Sequence, residues 1–121
     1  MSVVKTVTYI KEPTPLQCGQ AVLAMLCGVG VGETVSLLGN ERETTLKEMF
    51  FVLEHYKIGF KSERKQAFKK EDLPEICILS LETPRCWHWS LYFKGTFYDP
   101  EHGILSDFPV SKRKYFWEIT E

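Results

Sequence analysis

The spacing of apolar residues changes near Gly59, and that change restricts the chain to one class of fold. Upstream, Cys18, Ala21, Val22, Met25 and Leu26 recur at helical spacing and predict one apolar face. Gly28, Gly30 and Gly32 predict the end of that helix. A short second helix is expected over 33–38, closed by Gly39-Asn40. A third begins at Thr45, whose spacing to Glu48 is that of a capping box, and Gly59 is its expected stop. Downstream, the mostly apolar run 75–81 reads as a buried strand. Residues 88–93, the turn Lys94-Gly95 and residues 96–99 read as a β-hairpin, with further strands at 104–105 and 115–119. Helices first and antiparallel strands second predict an α+β domain, its N-terminal helices packed on a small antiparallel sheet. Ahead of the first helix, 3–10 is expected to be a strand or an extended arm. Pro13 and Pro15 force the stretch around Glu12 to be extended.

At 121 residues the chain fits one domain, 1–121, with room for a real core but not for two. A hydrophobic fraction of 44% is that of a folded protein rather than a disordered one. The net charge of −1 gives no electrostatic case for nucleic acid or anionic membrane as partner. No apolar run approaches the roughly 20 residues that span a bilayer, and the N-terminus lacks a signal-peptide core. Cys18, Cys27, Cys77 and Cys86 form no CxxC pair and are too sparse for a disulfide scaffold. A reducing, cytoplasmic setting is the expectation, with export by a route needing no signal peptide left open. The basic groups around Lys61–Lys70 and at Lys112-Arg113-Lys114 are interleaved or small, and read as solvated surface.

The chemistry-bearing residues are Cys18, at the predicted start of the first helix, His88, at the start of a strand, and Asp99, at the end of the partner strand. Each alone has a plainer explanation: a buried thiol, an aromatic-core histidine, a turn-forming Asp-Pro. Order and spacing favour a single site. The thiolate is the attacking form of cysteine, and free N–H groups at a helix start and a nearby imidazolium both stabilise it. Gly19 leaves the backbone beside the sulfur open to a substrate. Across the hairpin, Asp99 is expected within about a residue of the position opposite His88 or Trp89, where Cβ atoms are about 5 Å apart. It could then orient the imidazole. Trp87 and Trp89 alternate away from His88 and are assigned to the opposite sheet face. His55 reads as surface. His102 does too, and is the rival for the catalytic base. Cys77, Cys86 and His88 lack the close pairing zinc prefers, so neither a metal nor a cofactor is expected.

The run Gln17-Cys18-Gly19-Gln20-Ala21-Val22-Leu23-Ala24-Met25-Leu26 resembles the cysteine helix of the bacteriocin-processing, double-glycine leader peptidases of the papain-like superfamily. His88-Trp89-Ser90-Leu91-Tyr92 resembles their histidine strand, and Tyr98-Asp99-Pro100 with Gly103 their Asp-Pro-x-x-Gly segment. The resemblance spans about Glu12 to Gly103. It implies a minimal papain-like domain with Cys18 as nucleophile, His88 as general base and acid, and Asp99 orienting it. In that family a glutamine about six residues before the cysteine donates to the oxyanion. Here the position holds Glu12, whose ionised form cannot donate, and the nearest amide is Gln17. The His-Asp hairpin is also shorter than usual. The implied function is a cysteine peptidase acting on a protein or peptide. A deamidase or transglutaminase, a peptide-binding pseudopeptidase, and an effector whose partner protein supplies specificity are the alternatives.

Overall fold

A computed structural model describes residues 4–120. Three helices, α1 (Cys18–Cys27), α2 (Val31–Leu38) and α3 (Leu46–His55), precede six strands. The strands are β1 (Lys65–Ala67), β2 (Ile76–Glu82), β3 (Trp87–Phe93), β4 (Thr96–Asp99), β5 (Gly103–Leu105) and β6 (Lys114–Glu118), with a 3₁₀ turn at Lys70–Asp72. They form one antiparallel sheet in the order β1-β6-β2-β3-β4-β5. The expected α+β architecture of N-terminal helices on an antiparallel sheet is therefore the observed one.

α1 departs from the one-faced pattern. Every residue from Cys18 to Leu26 is buried, because the helix is enclosed by α2, α3 and β3. Its one large polar side chain, Gln20, is fully buried and donates from Nε2 to the carbonyls of Asn40 and Arg42. Those bonds tie the loop before α3 to the central helix. α3 starts at the predicted capping box, Glu48 N–H donating to Thr45 Oγ1 and Thr45 N–H to Glu48 Oε1. It ends earlier than Gly59: Tyr56 caps it, and Lys57 takes the left-handed conformation at φ 59°. β1 and the 3₁₀ turn were not anticipated. The segment 3–10, of which Val3 lies outside the described residues, is the extended arm rather than a strand. Its Val4, Val7, Tyr9 and Ile10 pack against the helix-side core.

That core lies between the helices and one sheet face, where Ile78, Leu91, Phe93 and Trp117 meet Val22, Leu23, Met49 and Leu53. A second cluster, with Leu79, Leu81, Tyr92, Phe97 and Phe116, occupies the other face under Leu73, Leu105 and Phe108. The β3–β4 hairpin turns at Lys94 (φ 47°) and Gly95 (φ 90°), the pair of positive angles of a two-residue type I′ turn. No single helix among the described residues is long and apolar enough to cross a membrane.

The first turn of α1 meets β3 and the loop before α3 at Gly19. A Cβ there would lie 2.7 Å from Thr44 Cβ and 2.9 Å from Trp89 Cδ1, closer than real side chains approach. Gly19→Ala should cost about 1–3 kcal/mol through this overpacking, read as a lower urea midpoint at unchanged slope.

Candidate active site

The sheet carries its polar site where β3 outruns β4. The β3–β4 register pairs Leu91 with Tyr98, so Asp99 falls opposite Ser90 and one diagonal step from His88. All three side chains then share a face. This is two residues from direct opposition to His88 and one from opposition to Trp89, and the diagonal suits the reach of an imidazole. His88 Nε2 lies 3.0 Å and 3.1 Å from the two carboxylate oxygens of Asp99, with Asp99 fully buried and His88 4% exposed.

Asp99 is held on every side. Ser90 Oγ donates to Oδ2 at 2.8 Å, and the N–H groups of Glu101 and His102 donate to Oδ1 at 3.0 Å and 2.9 Å. Its own backbone carbonyl accepts from Tyr9 Oη at 2.6 Å. Burial alone would raise the Asp99 pKa, but the bond and charge of His88 and these donors hold it below the usual aspartate value. For His88, burial pushes the pKa down, and the bonds and charges of Asp99 and Cys18 override it, up to about 10. The two directions agree on an aspartate–imidazolium pair. With Nε2 taken by Asp99, Nδ1 is the ring nitrogen left for Cys18.

Cys18 reaches this strand from the start of α1. Because β4 ends at Asp99, the N–H of Trp89 has no strand partner on that side, and it donates to Cys18 Sγ at 3.4 Å. The sulfur thus occupies the place where the next β4 residue would bond. Trp89 turns its ring toward the helix-side core, its Nε1–H donating to Thr44 O at 2.8 Å. Trp87 is 46% exposed and stacks on Tyr115. Together with Cys18, Glu43, Thr44, Ser80 and His88, the two tryptophans line a slot of about 180 Å³.

Glu12 reaches the thiol from the arm that precedes α1. Its N–H donates to Pro100 O at 2.9 Å, fixing the arm to the turn that follows Asp99. A carboxylate oxygen of Glu12, Cys18 Sγ and a ring nitrogen of His88 all lie within 4.8 Å of one another. Glu12 Oε1 is buried without a hydrogen-bond partner. Burial raises the Glu12 pKa; His88 and His102 oppose the shift, and Glu101 and Asp99 reinforce it.

The remaining sequence candidates lie elsewhere. Gln17 is buried at the residue before α1. The close approach that Gly19 allows is to the protein's own Thr44 and Trp89. His102 sits edge-on to His88 with ring centres 6.2 Å apart, its Nε2 3.5 Å from Glu101. Cys86 is exposed in the β2–β3 turn. Cys77 pairs with Tyr92, four residues along β3 from His88, so Cys77, Cys86 and His88 do not assemble. Burial pushes the Cys27 thiol up to about 12, an unreactive state. Ser90 and Tyr9 went unrecognised in the sequence. Once the hairpin register is known, alternation on β3 alone would have pointed to Ser90.

No protein-family model matches the sequence, and no curated protein matches it. Among solved structures, the chain is similar to a double glycine motif protease from an AMS/PCAT transporter, determined in complex with the leader peptide. The similarity has a TM-score of 0.64 at 20% identity and covers 95% of this chain and 93% of that one.

Ser90→Ala should destabilise the protein by about 2 kcal/mol, the scale of a hydrogen bond to a charged group. Asp99→Asn should move the His88 titration, followed by NMR, from about 10 toward the ordinary 6.5. The His88 contribution to stability is complete near 6.5 and is lost as pH rises through about 10, so urea midpoints should fall over that window more in wild type than in Asp99→Asn. The fold is shared with that protease, on a sequence only 20% identical to it.

Proposed function

We propose that this protein is a cysteine peptidase that cleaves a peptide bond through a thioester on Cys18. The observation that carries the reading is the geometry around His88: one ring nitrogen anchored on a fully buried aspartate, the other facing a thiol at a helix start. An imidazole held this way keeps one tautomer and one orientation, as a base that must also act as an acid requires. The Cys18 thiolate attacks the carbonyl carbon, and the carbonyl electrons move to oxygen. Collapse breaks the C–N bond as His88 passes its Nδ1 proton to the leaving amine. Water then gives a proton to His88 as its oxygen attacks the thioester carbon; the C–S bond breaks, releasing the carboxylic acid and restoring the Cys18 thiolate beside the His88 imidazolium. The bound leader peptide of the similar protease supports a peptide as substrate, lying across the slot flanked by Trp87 and Trp89.

A pseudopeptidase reading draws on one specific observation, a Glu12 carboxylate beside Cys18, at the sequence position where the resembled family holds its oxyanion glutamine. The two readings are separated by incubating the protein with a peptide library and with a cysteine-directed acyl probe. Peptidase function predicts products and Cys18 labelling, both abolished in Cys18→Ala with the fold retained. Binding of peptides without products or labelling would establish the pseudopeptidase. Glu12→Gln should raise kcat by at least tenfold, since one oxyanion donor is worth about 10²–10³ in rate.

A further inference from the structure

We propose that Glu12, Cys18 and His88 form a binding site for a divalent transition metal, Zn²⁺ by the chemistry of its ligands, and that the bound ion blocks the nucleophile. The inhibitory consequence rests on the peptidase reading above; the binding does not. From the sequence, Cys77, Cys86 and His88 are not expected to hold a metal, and the fold keeps them apart. The three donors it assembles instead come from the arm, the start of α1 and the start of β3.

Their chemistry selects the ion. A thiolate, an imidazole and a carboxylate suit zinc, whereas Ca²⁺ and Mg²⁺ take oxygen ligands. Three protein ligands also leave a fourth position open to water. Tetrahedral zinc with ordinary bond lengths spaces such donors about 3.5 Å apart. The present spacing, within 4.8 Å, is closed by about an ångström of side-chain rotation.

Two further observations point to a ligand. The first is Glu12, whose carboxylate reaches the thiol and whose Oε1 is a buried acceptor with nothing to accept. Such a group in a folded protein calls for an explanation, and a cation supplies one. The second is the support behind His88. Zinc-bound histidines donate their other ring N–H to a carboxylate, which fixes the tautomer and strengthens the ligating nitrogen. Asp99 accepts from His88 Nε2 in this way, and is itself fixed by Ser90 and two backbone N–H groups. Glu12 is steadied by its N–H bond to Pro100 O in the same turn. Both ligands that flank the thiol are thus braced by one turn of chain.

Binding needs no redox change. The Cys18 thiol releases its proton to solvent and the sulfur lone pair bonds the metal. His88 releases any Nδ1 proton and binds through that nitrogen, and the Glu12 carboxylate completes the set. The sulfur electrons that would attack a carbonyl are then committed to the ion.

The test is titration of the full-length, metal-free protein with Co²⁺ and then Zn²⁺. The expected result is a thiolate-to-cobalt charge-transfer band with the d–d bands of a four-coordinate ion, all removed by stoichiometric Zn²⁺. Cys18→Ser should abolish the charge-transfer band, and Cys86→Ser, which alters the exposed thiol, should keep it. Glu12→Gln, nearly isosteric and checked for an unchanged melting curve, should weaken Zn²⁺ binding at least tenfold. No charge-transfer band, a band that survives Cys18→Ser, or equal Zn²⁺ affinity in Glu12→Gln would each overturn the proposal. With a cleavable peptide, Zn²⁺ should inhibit wild type reversibly and Glu12→Gln only at tenfold higher concentration. Metal binding by a protein that cleaves nothing would refute the peptidase reading alone, and cleavage without metal binding would refute only the metal site.

Discussion

The Asp99 carboxylate is the charge around which the site is organised. It lies in a fully desolvated position, where an uncompensated ion would be strongly destabilising. Its tolerance depends on donors from three places: the His88 ring and Ser90 hydroxyl on β3, and the backbone of the turn after β4. Each donor is positioned by strand register or turn geometry, so the electrostatics and the hairpin specify each other. A one-residue slip of β4 would send Asp99 to the opposite face and leave both His88 and Ser90 without their acceptor.

The cysteine is fixed by a different logic. α1 is buried along nearly its whole length, so its position is set by packing rather than by polar bonds. Gly19, Thr44 and Trp89 define how closely the helix start approaches β3. The sulfur then accepts from a strand N–H left over because β4 stops short. An edge that would otherwise expose an unpaired donor is thereby used to hold the nucleophile. Helix packing and sheet termination meet at one atom.

Much of the fold was legible because its signals are local. The capping box at Thr45, the glycine after α2 and the Lys94-Gly95 turn each act through neighbours in sequence. The helix-to-strand change of period carried the α+β class. What was not legible depends on distant partners. β1 has two exposed residues of three and exists because β6 lies beside it. α3 stops at a lysine with positive φ, a conformation that lysine does not advertise. Among the site residues, Cys18, His88 and Asp99 stand out by type and order, whereas Ser90 is an ordinary strand serine until the register sets it opposite Asp99. Glu12 was legible as a departure from an expected amide, but not its unpartnered oxygen, which depends on how the arm docks.

The arm from Val4 to Leu16 forms no helix and joins no sheet, yet it contributes Glu12 and the Tyr9 hydroxyl. Segments of this kind detach in local openings that cost far less free energy than global unfolding. The two hydrophobic clusters contain most of what holds helices and sheet together; Trp89 belongs to the helix-side cluster and also lines the slot, whereas Glu12 and the Tyr9 hydroxyl reach the site from the arm. The arm's contribution to the site is therefore separable from the bonds that β3 and the turn after β4 give Asp99. A local release of the arm would withdraw Glu12 and the Tyr9 bond and leave the bonds of Asp99 to His88 and Ser90 in place.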